Sequence, residues 1–150
     1  MMKKSKKILR RQLEFIEISK KVGKLFKDRN ISLSFEGYKT TLEEYLSCNE
    51  NDLENLYHLI IDSNLWSHYF GDLIGLTDNI YSEKISKNFF LEMEHITKKE
   101  EIEDLKIEIN LFKVFLKRLK IQKKMFDRIH YHCSKMYMDA NNNLNFRSFE

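Results

Sequence analysis

Not one of the 150 residues is proline, and only four are glycine. Proline lacks an amide donor and its ring clashes with the preceding turn, while glycine carries extra backbone entropy, so these two residues are the ordinary interrupters of helices. A chain nearly free of both can run helices much longer than the usual mean of about 12 residues. Only apolar periodicity and capping signals remain to divide it.

The clearest periodicity lies in the C-terminal half. Ile102, Leu105, Ile109, Phe112, Leu116, Leu119, Lys123, Phe126, His130 and Cys133 alternate steps of three and four, filling a and d positions of one heptad frame. Glu101 and Glu108 fall at g, and Lys106, Lys113 and Lys120 at e, the charge placement that flanks a helix seam. Upstream, Leu59, Trp66, Phe70, Leu73 and Ile80 keep the same steps. The reading is a long helix over 52–94 and another over 98–138, folded into an antiparallel hairpin. Thr97 with Glu100 offers a capping box at the reversal. The seam is expected at Ile102, Leu105, Ile109, Phe112, Leu116, Leu119 and Phe126, facing Trp66, Leu73 and Ile80.

Ahead of the hairpin, apolar positions from Ile8 to Phe26 predict a helix over 5–28. "ISLSFEG" alternates Ile31, Leu33 and Phe35 with polar residues, suggesting a short extended segment at 31–36 within a loop over 30–40. Thr40 with Glu43, or Thr41 with Glu44, predicts a short helix over 42–47. Asn residues after Asp139 suit a helix end, leaving 139–150 as a tail. The fold class expected is all-α, a single domain over 1–150: a long antiparallel helical hairpin with the N-terminal helix packed along it. Val114, Phe115, Ile121, Met125 and Ile129 lie off the seam. They imply a second buried face, filled by the first helix or by another subunit.

The net charge of +3 conceals a strong segmentation. Residues 1–30 carry eleven basic and three acidic groups, 31–110 six and seventeen, and 111–150 nine and three. Basic ends and an acidic middle imply either an anionic partner or pairing between segments of the fold. Lys113, Lys117, Lys120, Lys124 and Arg128 step along one side of the last helix for about 22 Å, a stripe able to meet several phosphates. The competing reading pairs them with the eight acids of 51–94 across the hairpin. Lys3, Lys4, Lys6, Lys7, Arg10 and Arg11 form a second basic cluster, an arm suited to a nucleic-acid backbone or an ordinary solvated helix start. Tyr131, Tyr137 and Phe146 lie beside basic residues and could stack on bases.

Catalytic signatures are missing from the sequence. It holds no nucleophile elbow, phosphate loop, His-Glu-x-x-His or Cys-x-x-Cys pattern. "HYHC" places His130 and Cys133 on one helix face without the further ligands zinc needs. Glu92 with His95 and Asp127 with His130 imitate a di-iron pattern, but the hairpin would hold them about 44 Å apart. Gly71 and Gly75 read as a packing notch or a kink. Two isolated cysteines suit reduced thiols, and Glu14 and Glu17 break up anything resembling a signal peptide, so the expected location is cytoplasmic. No stretch is apolar enough to span a membrane.

These features predict a non-enzymatic protein without metal, cofactor or small-molecule substrate. It would self-associate and bind nucleic acid non-specifically through its basic helix faces. The layout resembles that of small helical phage recombination mediators, which present basic faces to single-stranded DNA as oligomers; the resemblance is architectural and assigns no residue a role. The alternative is a protein–protein module, such as a virion component, assembly chaperone or inhibitor, docking an apolar patch that includes Phe115, Ile121 and Ile129.

Overall fold

The computed structural model describes residues 2–94 and 99–148, with side chains described for 5–94 and 99–142. Four helices account for nearly all of it: α1 (Met2–Lys27), α2 (Tyr38–Leu46), α3 (Leu53–Glu94) and α4 (Lys99–Ser148). α3 and α4 form the antiparallel hairpin, and α1 lies along α4. The register of the hairpin is set by His130 Nδ1 donating to the Ile60 carbonyl (3.0 Å), by Phe70 stacked on Phe126 (5.7 Å) and by Lys84 paired with Glu108 (2.7 Å).

Along α4 the d positions Leu105, Phe112, Leu119, Phe126 and Cys133 are all buried, whereas the a positions Ile102, Ile109 and Leu116 are only half-buried. The reason is a second neighbour. Phe115 and Ile129, off the predicted seam, are buried as well, with Phe15 and Phe26 of α1 lying 6.0 and 5.8 Å from Phe115. α4 is therefore flanked by α3 on one side of the d line and by α1 on the other. This corrects the expectation that Phe115 and Ile129 belong to an exposed docking patch; Ile121 is half-buried. On α3, Leu73 and Ile80 are buried, while Trp66 is half-buried against Tyr38 and Phe126 (5.8 and 6.1 Å).

With a single alanine in the chain, large rings rather than close helix approach fill the centre. Phe15, Phe35, Tyr38, Phe70, Phe115 and Phe126 form a continuous set of edge and stacked contacts linking α1, α2, α3 and α4. Such pairs contribute about 0.5–1.5 kcal/mol beyond area burial.

The connections depart from the sequence reading in three places. α1 closes with Asn30 in the left-handed region (φ 60°), the Asn30 amide donating to Lys27 O and the Ile31 amide to Phe26 O (both 2.9 Å), a Schellman arrangement. Residues 31–35 then run irregularly, and no strand occurs among the described residues. The alternation is nonetheless physical, because Ile31, Leu33 and Phe35 pack on the core while Ser32 and Ser34 face out. Tyr69 on α3 holds this segment by donating its hydroxyl to Ser34 O (2.9 Å).

Next, α2 begins at Tyr38 rather than 42. Gly37, at φ 84°, supplies the left-handed turn of entry, and the Thr41 hydroxyl, predicted as a cap, bonds back to Gly37 O (2.9 Å) from inside the helix. Lastly, α4 continues to Ser148 through the predicted tail, since nothing after Asp139 is a strong helix breaker and asparagine only mildly disfavours helix. Asp52, the first residue of the helix predicted over 52–94, instead caps α3, its carboxylate accepting from the Asn55 backbone amide (3.1 Å). The Thr97–Glu100 capping box lies outside the described residues at Thr97.

Two polar devices join the helices, the first of them buried and the second partly exposed. The Tyr38 hydroxyl donates to Gln122 Oε1, and Gln122 Nε2 donates to the Arg11 carbonyl (3.1 Å), linking α2, α4 and α1. Lys123, at a seam position of α4, lays its stem over Gly71, where an added Cβ would sit 3.4 Å from Lys123 Cε. Its ammonium then reaches Asp127 (3.1 Å) and Ser67 (3.3 Å). Gly71 is thus a packing notch shaped for that side chain.

Candidate nucleic-acid interface

Seven Lys and Arg residues crowd positions 111–133. Two of them serve the fold: Lys123 in the bridge to Asp127 and Ser67, and Arg118 in an ion pair with Glu14 of α1 (2.8 Å). The other five, Lys113, Lys117, Lys120, Lys124 and Arg128, are all exposed. At 100° per residue they fall within an arc of about 80°, on the side of α4 opposite Phe112, Phe115, Leu119 and Phe126. The helix can display them so regularly because its core contacts are confined to the d line and its α1 flank.

Among the described residues, none of the five forms an ion pair with a carboxylate. The hairpin does carry cross-pairs, Lys84 with Glu108 and Lys106 with Glu92 (3.2 Å), but they join other residues nearer its turn. The internal-pairing reading of the stripe is therefore not realised. Asp127 at its border has its charge engaged already. Burial raises its carboxyl, yet the hydrogen bonds from Ser67 and Lys123 outweigh this and hold it below the usual carboxylate range.

The stripe is longer than the sequence reading allowed. Tyr131, 70% exposed, and Lys135, also exposed, continue it by one three-residue and one four-residue step. The same spacing would have revealed Lys135. Tyr137, by contrast, is half-buried 6.4 Å from Tyr57, and the side chain of Phe146 lies outside the described residues.

The N-terminal cluster divides. Lys6 and Arg10 are exposed on the outer face of α1, whereas Lys7 and Arg11 turn toward α4. There they line a cleft of about 310 Å³ with Arg128 and His132, over a floor of Ile8, Met125 and Ile129, with Tyr45 of α2 closing one side. The two basic segments, more than a hundred residues apart in sequence, meet at this point. The side chains of Lys3 and Lys4 lie outside the described residues.

His130 and Cys133, the metal candidates, do not converge with further ligands: among the described residues no group of three His, Cys, Asp or Glu could hold a metal ion. His95 of the di-iron pattern lies outside the described residues. Among those residues no helix is long and apolar enough to cross a membrane.

No family model matches this sequence, and neither curated proteins nor solved structures offer a match. The functional reading therefore rests on the geometry.

Proposed function

We propose that this chain is a non-enzymatic, cytoplasmic accessory protein that binds nucleic acid without sequence preference through the outward face of α4 and associates with further copies of itself. One observation carries the reading: five exposed cations along one face of α4 over about 22 Å, none spent on a carboxylate among the described residues. Such a row neutralises successive phosphates and releases their counterions. Lysine contacts to phosphate report charge and position but not base identity, so the binding is indifferent to sequence. Tyr131 adds a flat face on which a single-stranded base can stack.

Charge reversal tests it. In fluorescence anisotropy with labelled single- and double-stranded oligonucleotides at low salt, wild type binds and Lys117→Glu/Lys124→Glu does not. Unchanged binding by the variant, or none by wild type, removes the proposal.

A second reading, docking onto a protein partner, has its own support. Beyond the end of α1, the hairpin continues as a two-helix stem on which Ile85, Phe89 and Met93 follow at four-residue steps, with Phe90 beside them, 42–61% exposed. Clusters of this kind mark association surfaces. If the occupant is another copy, sedimentation shows an oligomer that Phe89→Glu/Met93→Glu dissociates. A strict monomer removes self-association and leaves a different protein as the occupant.

A further inference from the structure

We propose that the cleft between α1 and α4 binds the terminal phosphate monoester of a nucleoside, its phosphate held by Lys7, Arg11 and Arg128. The inference goes beyond the nucleic-acid reading, because a mononucleotide binds there whether or not the stripe holds a strand.

The cleft is built by two antiparallel helices. Lys7 and Arg11 stand one turn apart on α1, and Arg128 and His132 one turn apart on α4. Among the described residues no carboxylate lines the cleft and none of the three cations has an ion-pair partner. Arg11 is anchored through its carbonyl, which accepts from Gln122 Nε2 (3.1 Å). Gathering three like charges around one cavity is unfavourable until an anion enters it.

The number of cations selects the anion. A phosphodiester within a strand bears one charge and suits a stripe with one cation per turn. A phosphate monoester bears about −1.5 to −2 at neutral pH and presents three terminal oxygens, matching in number the three cations that line the cleft, of which the guanidinium groups can bind two oxygens each.

The rest of the cleft favours a flat organic body. Ile8, Met125 and Ile129 are nearly fully buried and form an apolar floor. The rings of Tyr45 and His132 meet edge to face at 5.8 Å, tied by a 2.7 Å hydrogen bond between the Tyr45 hydroxyl and His132 Nδ1. A nucleobase can lie on such a floor against that wall. At about 310 Å³ the cavity is near the small end of the range for ligand sites, roughly 300–1,000 Å³, which fits one nucleotide unit. That unit is either a free nucleoside monophosphate or the 5′-phosphorylated end of a strand.

Calorimetric titration of the full chain with AMP, adenosine and inorganic phosphate tests the site at low salt. AMP is expected to bind at one site, adenosine at least about tenfold more weakly, and Arg11→Gln/Arg128→Gln to weaken AMP by at least about tenfold. Lys7→Gln, at an exposed position, is expected to weaken AMP in the same direction, and the charge-matched Lys20→Gln/Lys24→Gln to leave it unchanged. Helicity and melting of each variant separate a lost site from a lost fold.

Anisotropy with 5′-phosphorylated and 5′-hydroxyl oligonucleotides distinguishes the sources. Tighter binding of the phosphorylated strand, lost in Arg11→Gln/Arg128→Gln, assigns strand ends; AMP binding without that preference assigns the free nucleotide. Oligonucleotides that fail to bind while AMP binds sink the stripe and leave this site standing. The inference is overturned if AMP gives no binding, if adenosine binds as well as AMP, or if Lys7→Gln and Arg11→Gln/Arg128→Gln bind AMP like wild type.

Discussion

Replacing Tyr38 by Phe removes one oxygen from the centre of the molecule. The Tyr38 ring is fully buried among Phe15, Trp66, Phe70 and Phe126, so Phe preserves the packing. What disappears is the hydroxyl that donates to Gln122 Oε1, and Gln122 is itself 1% exposed. Its carbonyl oxygen is left without a donor where water cannot replace one, at a cost of about 1–3 kcal/mol. For a chain of this size each kcal/mol moves the midpoint by about 2–4 °C, so Tyr38→Phe should melt roughly 2–12 °C below wild type.

Burial pushes the Tyr38 phenol well above its ordinary range, so it stays a donor through neutral and mildly alkaline pH and the loss should be constant there. Gln122→Met removes the acceptor instead, and the double variant removes both. Because one hydrogen bond cannot be lost twice, the double variant should cost less than the sum of the singles, by about 0.5–3 kcal/mol. Thermal unfolding by circular dichroism, with guanidinium titrations for the free energies, measures the cycle. A Tyr38→Phe protein that melts with wild type, or a strictly additive double variant, refutes the relay.

Other consequences follow from the same geometry. Gly75 is in the middle of α3 with nothing within 4 Å of an added Cβ, so Gly75→Ala should raise stability by about 0.8–1.0 kcal/mol, read as a higher melting temperature. The buried Thr77 hydroxyl has no hydrogen-bond partner among the described residues, and Thr77→Val should stabilise by up to roughly 1–3 kcal/mol in a denaturant titration. The carboxyls of Asp127 and Glu83 are held below their ordinary values, Asp127 by bonds that outweigh burial and Glu83 by the Arg29 hydrogen bonds and charge. The unfolded chain therefore binds more protons in the acid range, so their contribution is complete above the usual carboxylate pKa and fades as pH falls through the folded value. Asp127→Asn should flatten the loss of stability between neutral and acid pH; an unchanged slope contradicts this.

The helices were legible because nothing in the sequence competes with them and the heptad steps are regular. Their ends were not. Thr41 and Glu44 have the form of a capping box, but Gly37 can take the left-handed entry at no steric cost and starts α2 four residues earlier. The stripe could be read from spacing alone, since Lys113 to Arg128 share a face of any helix that contains them. Whether carboxylates covered it could not, because that depends on the rotation of α4 about its axis, and the flank occupied by α1 sets that rotation. Phe115 and Ile129 announced a second buried face without saying what filled it; only contacts with Phe15, Phe26 and Ile8 across about a hundred residues answer that. The cleft joining Lys7, Arg11 and Arg128 is tertiary in the same sense.

The central claim, that the outward cations of α4 meet successive phosphates, is tested most directly by the salt dependence of oligonucleotide binding. Five contacts predict that log K falls against log salt with a slope of about −4.5 on duplex DNA and about −3.5 on a single strand. Cations of α1 joining the complex would steepen both slopes. A slope near zero, or no binding at low salt, contradicts the claim.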